Sequence, residues 1–175
     1  MKTYFQDKTK LVNSVFDKVY KKYDFMNDIM SFGIHRIWKK NLIDWMSPQP
    51  GTKLIDVASG TGDLAKLYSD RCKSKSEVAC VEPNKSMLGM GKEKLSNYKN
   101  IQWFNSSAEK LPFKNETFDY YTISYGIRNV TDINLCLKEA FRVLKIGGRF
   151  LCLEFSKVEN EILNKDYKEY SKLIP

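Results

Sequence analysis

Asp56, Gly60, Thr61, Gly62 and Glu82 have the types and spacing of a nucleotide site. They begin in the segment LIDVASGTGDLA, residues 54–65, which reads as a strand running into a glycine-rich turn. From Gly60 the turn satisfies G-x-G-x-x-A, and Glu82 follows about twenty residues on. Glycines there let a ligand approach the backbone, and a carboxylate ending the next strand can accept two hydrogen bonds from ribose hydroxyls. NAD and S-adenosylmethionine sites share that geometry. Asp56 separates them, because a carboxylate just before the turn repels a dinucleotide pyrophosphate and attracts the amino group of a methionine moiety. Together with motifs further along the chain, it points to a methyl donor. Other chemistry has little material. His35 is the only histidine, which removes H-E-x-x-H zinc sites and leaves one position for a histidine base. Cys72, Cys80, Cys136 and Cys152 lack C-x-x-C spacing and read as reduced core thiols, so no metal is expected.

Positioning these residues needs a sheet. Strands are predicted at 53–58, 77–82, 101–106, 118–125 and 149–155, with helices near 62–72, 85–96 and 132–144. Short apolar strands alternating with helices imply an α/β fold with a parallel, doubly wound sheet, whose ligands sit beyond the carboxyl ends of the strands. Two helices should precede it. Residues 13–30 place Val15, Val19 and Tyr23 on one row, and residues 34–46 place Ile34, Ile37, Trp38, Asn41, Leu42 and Trp45 along one face, with most of the aromatics read as core. A chain of 175 residues makes one domain: a helical lead-in over 1–50 that covers substrate, and a donor-binding core over 51–175.

The net charge of +8 favours an anionic surface, but the lysines are scattered, so a solvated surface is expected and not a nucleic-acid interface. No run approaches the roughly 20 apolar residues that span a bilayer. MKTYFQDKTKL has no apolar core of a signal peptide and carries an aspartate where transit peptides are acid-poor, so no targeting segment is expected in it.

VFDKVYKKYDFMNDIMSFGIHRIWKK, LIDVASGTGDLA, AEKLPFKNETFDYYTISYGIRNVTD and RVLKIGGRFLCLEFSKV together resemble the ubiquinone/menaquinone biosynthesis C-methyltransferases over nearly the whole chain. The Y-D-x-M-N-D, G-I-R-N-V and L-E-F-S segments are the specific ones, and GGRFLCLEFS looks most like the mitochondrial ubiquinone branch. The resemblance implies a class I S-adenosylmethionine-dependent methyltransferase, Rossmann-like, that methylates a ring carbon of a polyprenylated benzoquinol or naphthoquinol. Gly60, Thr61 and Gly62 would approach the donor, Glu82 would hold its ribose, Ser107 and Ala108 would flank the adenine, and Ser124 would line the donor pocket. Arg128 and Asn129 would face the quinol head group, with Tyr23 closing over it. A peripheral membrane position on the matrix side of the mitochondrial inner membrane, or the bacterial cytoplasm, follows from the same likeness. So does a quinone-biosynthesis complex or a homodimer as partner.

The chain departs from the family pattern in three places. Ala58 and Ser59 stand where further glycines are usual, and Ser107 replaces an aspartate or asparagine. The chain also stops after the fifth strand, which leaves Phe150, Leu151, Leu153 and Phe155 on an uncovered edge and implies C-terminal truncation. Two other functions fit the same residues: an O- or N-methyltransferase of another small molecule, and a non-catalytic scaffold of a quinone-biosynthesis assembly. An NAD dehydrogenase ranks behind them for want of a hydride-transfer acid or base.

Overall fold

The computed structural model describes residues 33–155. Tyr23, the expected helix over 13–30 and the terminal YSKLIP lie outside the described residues. Five strands form one parallel sheet: β1 Lys53–Val57, β2 Glu77–Val81, β3 Ile101–Phe104, β4 Phe118–Ser124 and β5 Leu144–Leu153. Their order is β3-β2-β1-β4-β5. The helices are α1 Ile34–Met46, α2 Asp63–Arg71, α3 Lys85–Lys94 and α4 Ile133–Val143, and a 3-10 turn spans Ile127–Asn129.

Strand alternation divides the core into two layers. Leu54, Val78, Cys80, Ile101 and Leu151 face α1 and α2, where they meet Ile43, Met46, Leu64 and Tyr68. Ile55, Val57, Ala79, Val81, Tyr121 and Ile123 point the other way and pack with Cys136, Ala140 and Val143 of α4. The helix starts agree with their sequence signals: Asn84 Oδ1 accepts from Met87 N at 2.9 Å, and Asp132 Oδ1 from Leu135 N at 3.1 Å.

Three expectations are corrected. The last strand begins at Leu144, because KIGGR is not a separate turn but a bulge within the strand. Pairing jumps from Phe118↔Leu144 to Tyr120↔Arg149, and Gly147 takes φ 80. Asp119 anchors this excursion, accepting from Lys145 Nζ and from Lys53 N at 2.8 Å each. Second, α1 turns a different face inward. His35, Lys39, Leu42, Ile43 and Met46 are buried, while Ile37 and Trp45 are 59% and 67% exposed among the described residues. Apolar spacing alone selected the wrong stripe, because a histidine and a lysine occupy the inner one. Third, Cys152 is exposed, since it lies on the edge strand; the other three cysteines are buried and all four are free.

The sheet's other edge packs tightly against glycine. A Cβ on Gly91 of α3 would stand 2.1 Å from the Trp103 ring, so an added methyl forces a rigid indole to move. Gly91→Ala should lower stability by about 1–3 kcal/mol, as overpacked cores do. Urea unfolding followed by tryptophan emission measures it, and an unchanged midpoint would contradict the close packing.

Candidate functional site

Strand order reverses between β1 and β4, and in open α/β sheets the crevice beyond the strand ends at that switch point binds ligands. Two connected chambers lie there. The larger encloses about 820 Å³, partly open to solvent, and Glu82, Met87, Ser107, Ala108 and Asn129 are among its walls. The smaller encloses about 360 Å³ and is lined by Lys39, Asp56, Thr61 and Asp63. Ala58, Gly60, Ser124 and Tyr125 belong to both.

The turn after β1 is held by the end of β2. Glu82 is buried, its Oε2 accepting from Gly60 N and its Oε1 from Asn84 N, both at 2.9 Å. Asn84 itself caps α3, so Glu82 is free of that duty. Burial pushes the Glu82 carboxyl up, and the two backbone N–H groups oppose it. Each carboxylate oxygen keeps a second lone pair for a ligand. Gly60 adopts φ 56, and Ala58 adopts φ 52, a left-handed conformation that costs a non-glycine residue roughly 1 kcal/mol. The Ala58 methyl also fills the space beside Gly126, where a Cβ would lie 2.5 Å from it.

A polar group forms the floor of the smaller chamber. Asp56 is 2% exposed and accepts from Thr122 Oγ1 at 2.7 Å. Burial pushes its carboxyl up to about 7, although the Thr122 hydrogen bond and the Lys39 charge pull the other way. Lys39 Nζ reaches Asp63 Oδ2 at 2.8 Å, and Lys94 Nζ reaches Asp63 Oδ1 at 2.8 Å and Thr61 Oγ1 at 3.1 Å. Burial works against the Asp63 charge, but Lys39 and then Lys94 outweigh it and hold this carboxyl well below the usual range.

The expected site residues divide by position. Asp56, Gly60, Thr61, Glu82, Ser107, Ala108, Ser124 and Asn129 all line the crevice. Among the described residues the buried Ser124 hydroxyl has no hydrogen-bond partner, and buried hydroxyls are normally paired. Gly62 is outside both chamber walls, beneath Leu95 and Trp103, which a Cβ would meet at 2.7 and 2.9 Å. Arg128 is outside both chamber walls, paired with Glu154, and its guanidinium stands 5.4 Å from the Phe155 ring centroid. Phe155 in turn stacks on Tyr125 at 4.8 Å.

The loop bearing Ser107 and Ala108 is fixed from two sides. Asn105 Nδ2 donates to Glu82 O at 2.9 Å, and Arg142 on α4 donates to Phe113 O and Leu111 O at 2.7 and 3.1 Å. Sequence reasoning missed Lys39 and Asp63. The available signal was a lysine four residues after His35 on the face shared with Leu42 and Met46.

Comparison with known proteins supplies the lineage. Residues 2–175 match the ubiE/COQ5 methyltransferase family. The ubiquinone/menaquinone biosynthesis C-methyltransferase UbiE of Brucella abortus (strain S19) is 49% identical over 170 residues, covering 94% of this chain and 63% of that protein. The protein of the same name from Brucella anthropi is 50% identical, with 94% and 65% covered. The chain therefore spans less than two thirds of these relatives' length. Among solved structures, an S-adenosylmethionine-dependent methyltransferase from Aquifex aeolicus superposes with a TM-score of 0.65 at 20% identity, covering 70% of this chain and 66% of that one. YcgJ of Bacillus subtilis gives 0.64 at 24% identity, with 77% and 58% covered. The sheet and its helices thus have the Rossmann-like class I methyltransferase fold, in shortened form.

The two aspartates impose opposite pH signatures. Between about 4, the value of a free aspartate, and about 7, the unfolded chain has released the Asp56 proton and the folded chain keeps it. Stability from this group therefore falls as pH rises through that window, by up to about 1.4 kcal/mol per unit. The Asp63 contribution is present above about 4 and is lost as pH falls further. Urea midpoints from pH 4 to 8 should show Asp56→Asn flattening the decline. Parallel curves for variant and wild type would overturn the assignment.

Proposed function

The chain belongs to the ubiE/COQ5 methyltransferase family, and we propose that it binds S-adenosylmethionine in the two-chamber crevice and methylates a ring carbon of a polyprenylated quinol. The observation that carries the donor half is the pairing of two buried carboxylates, Asp56 and Glu82, at the ends of neighbouring strands, with the unsatisfied Ser124 hydroxyl between the chambers. In this reading the spare lone pairs of Glu82 take the ribose hydroxyls, Ser107 and Ala108 flank the adenine, and Ser124 hydrogen-bonds the donor. Asp56 receives the ammonium of the methionine tail. Gly60 and Thr61 form the turn beside it. The donor, when bound, supplies an activated methyl group.

The protein's task is then alignment and exclusion of water. Arg128 acts as a fixed cation toward the acceptor's phenolate oxygen and Asn129 as a donor to it; arginine keeps its own proton. A water held by Arg128, Asn129 or Tyr23 takes the phenol proton. Support for this half is the position of Asn129 in the larger chamber wall and of Arg128 beside it on the same 3-10 turn. The UbiE names of the relatives support a benzoquinol or naphthoquinol acceptor. Such an acceptor is delivered at a membrane surface, where the protein binds peripherally, alone, as a homodimer or in a quinone-biosynthesis complex. Among the described residues no helix is long and apolar enough to cross a membrane. The named relatives are bacterial, which favours a bacterial cytoplasm over the mitochondrial inner membrane.

Calorimetric titration should show saturable S-adenosylmethionine binding and none for NADH, with Glu82→Ala weakening the donor at least about tenfold, the scale of a lost charge-assisted hydrogen bond. A folded chain that ignores the methyl donor would refute the reading. In a quinol methylation assay, Arg128→Ala should reduce turnover by about 100-fold or more while donor affinity stays within about twofold. Equal loss of both would place Arg128 in donor binding and remove its role at the acceptor.

A further inference from the structure

Lys39 has a feature that pairing with Asp63 does not explain. It projects from α1, is 9% exposed, and reaches the smaller chamber beside Asp56. Asp63 already has a second cation, Lys94, on its other carboxylate oxygen at 2.8 Å. The trio of Lys39, Asp63 and Lys94 therefore carries one surplus positive charge. Lys94, the more exposed of the two lysines at 35% of its side chain, suffices for the surface side of Asp63. Lys39 Nζ gives one hydrogen to Asp63 and, as an ammonium, has three to give.

The chamber thus has an acidic end and a basic end. Asp56 and its Thr122 partner form the first. Lys39, held in place by Asp63, forms the second. Such a pair complements an α-amino acid, whose ammonium and carboxylate are one carbon apart, and among the described residues no other part of the crevice walls carries a lysine or arginine.

Resting on the donor reading above, we propose that Lys39 is the carboxylate-recognising residue of the methionine subsite, with Asp63 as its positioning residue. Lys39 and Asp56 then grip the two charges of the amino-acid tail, and the lead-in helix becomes part of the donor site. A ligand with the ammonium but no carboxylate loses only the Lys39 contact.

The probe is decarboxylated S-adenosylmethionine, which keeps the sulfonium and the amine. Calorimetry on the full chain should show the wild type preferring S-adenosylmethionine by about tenfold or more, the scale of one charge-assisted contact. Lys39→Met should abolish that preference by weakening S-adenosylmethionine alone, and Lys39→Arg should retain it. Equal affinity of the wild type for the two ligands would overturn the inference and leave the donor reading standing. So would a Lys39→Met variant that weakens both ligands alike, which marks a merely structural lysine. A wild type that binds neither would overturn the donor reading itself, and this inference with it.

Discussion

Keeping two carboxylates out of water at the ends of adjacent parallel strands is the constraint around which the crevice is organised. Asp56 and Glu82 are 2% and 7% exposed, and an ionised carboxylate in that position is costly unless its oxygens are satisfied. The two meet the cost differently. Glu82 takes backbone N–H groups from the turn after β1 and from the start of α3, so satisfying it also fixes the turn. Asp56 has, among the described residues, one side-chain hydrogen bond, from Thr122, and burial outweighs it in pushing the carboxyl up.

The elements around the crevice are tied to one another by hydrogen bonds. The loop bearing Ser107 and Ala108 is tied to the Glu82 carbonyl through Asn105 and to α4 through Arg142. Glu109 in that loop accepts from Thr131 N at 2.8 Å, which fixes the segment following the 3-10 turn. From the opposite side, α1 reaches in through Lys39. A ligand occupying both chambers would touch elements from α1 to the 3-10 turn, although the residues that surround it are far apart in the chain.

The sequence disclosed the sheet and most of the crevice because both depend on local signals. Alternating apolar strands, an asparagine and an aspartate at helix starts, and glycine after a strand-end acid can be read without knowing what packs where. Arg128 shows the limit. Its motif was legible, but its pairing with Glu154 depends on β5 lying next to β4, a contact 26 residues away. Lys39 was missed for a related reason. Apolar spacing favoured the stripe of Ile37 and Trp45, whereas the structure buries the stripe containing a lysine, because an acidic partner waits on α2. The KIGGR bulge was hidden because glycines within a strand and glycines between elements look alike in sequence.

Ala58 and Gly126 share space for a single methyl group. The residues are 68 positions apart in the chain, yet their tolerances are linked. With alanine at 58, position 126 admits no side chain without moving backbone on one wall of the crevice. With glycine at 58, that space opens and the left-handed turn also loses its strain. Substitution at these sites is therefore order-dependent: Ala58→Gly opens a mutational path to Gly126→Ala that is blocked in the reverse order. The two positions are therefore coupled through packing, and a double substitution that exchanges them would keep one methyl group in that space.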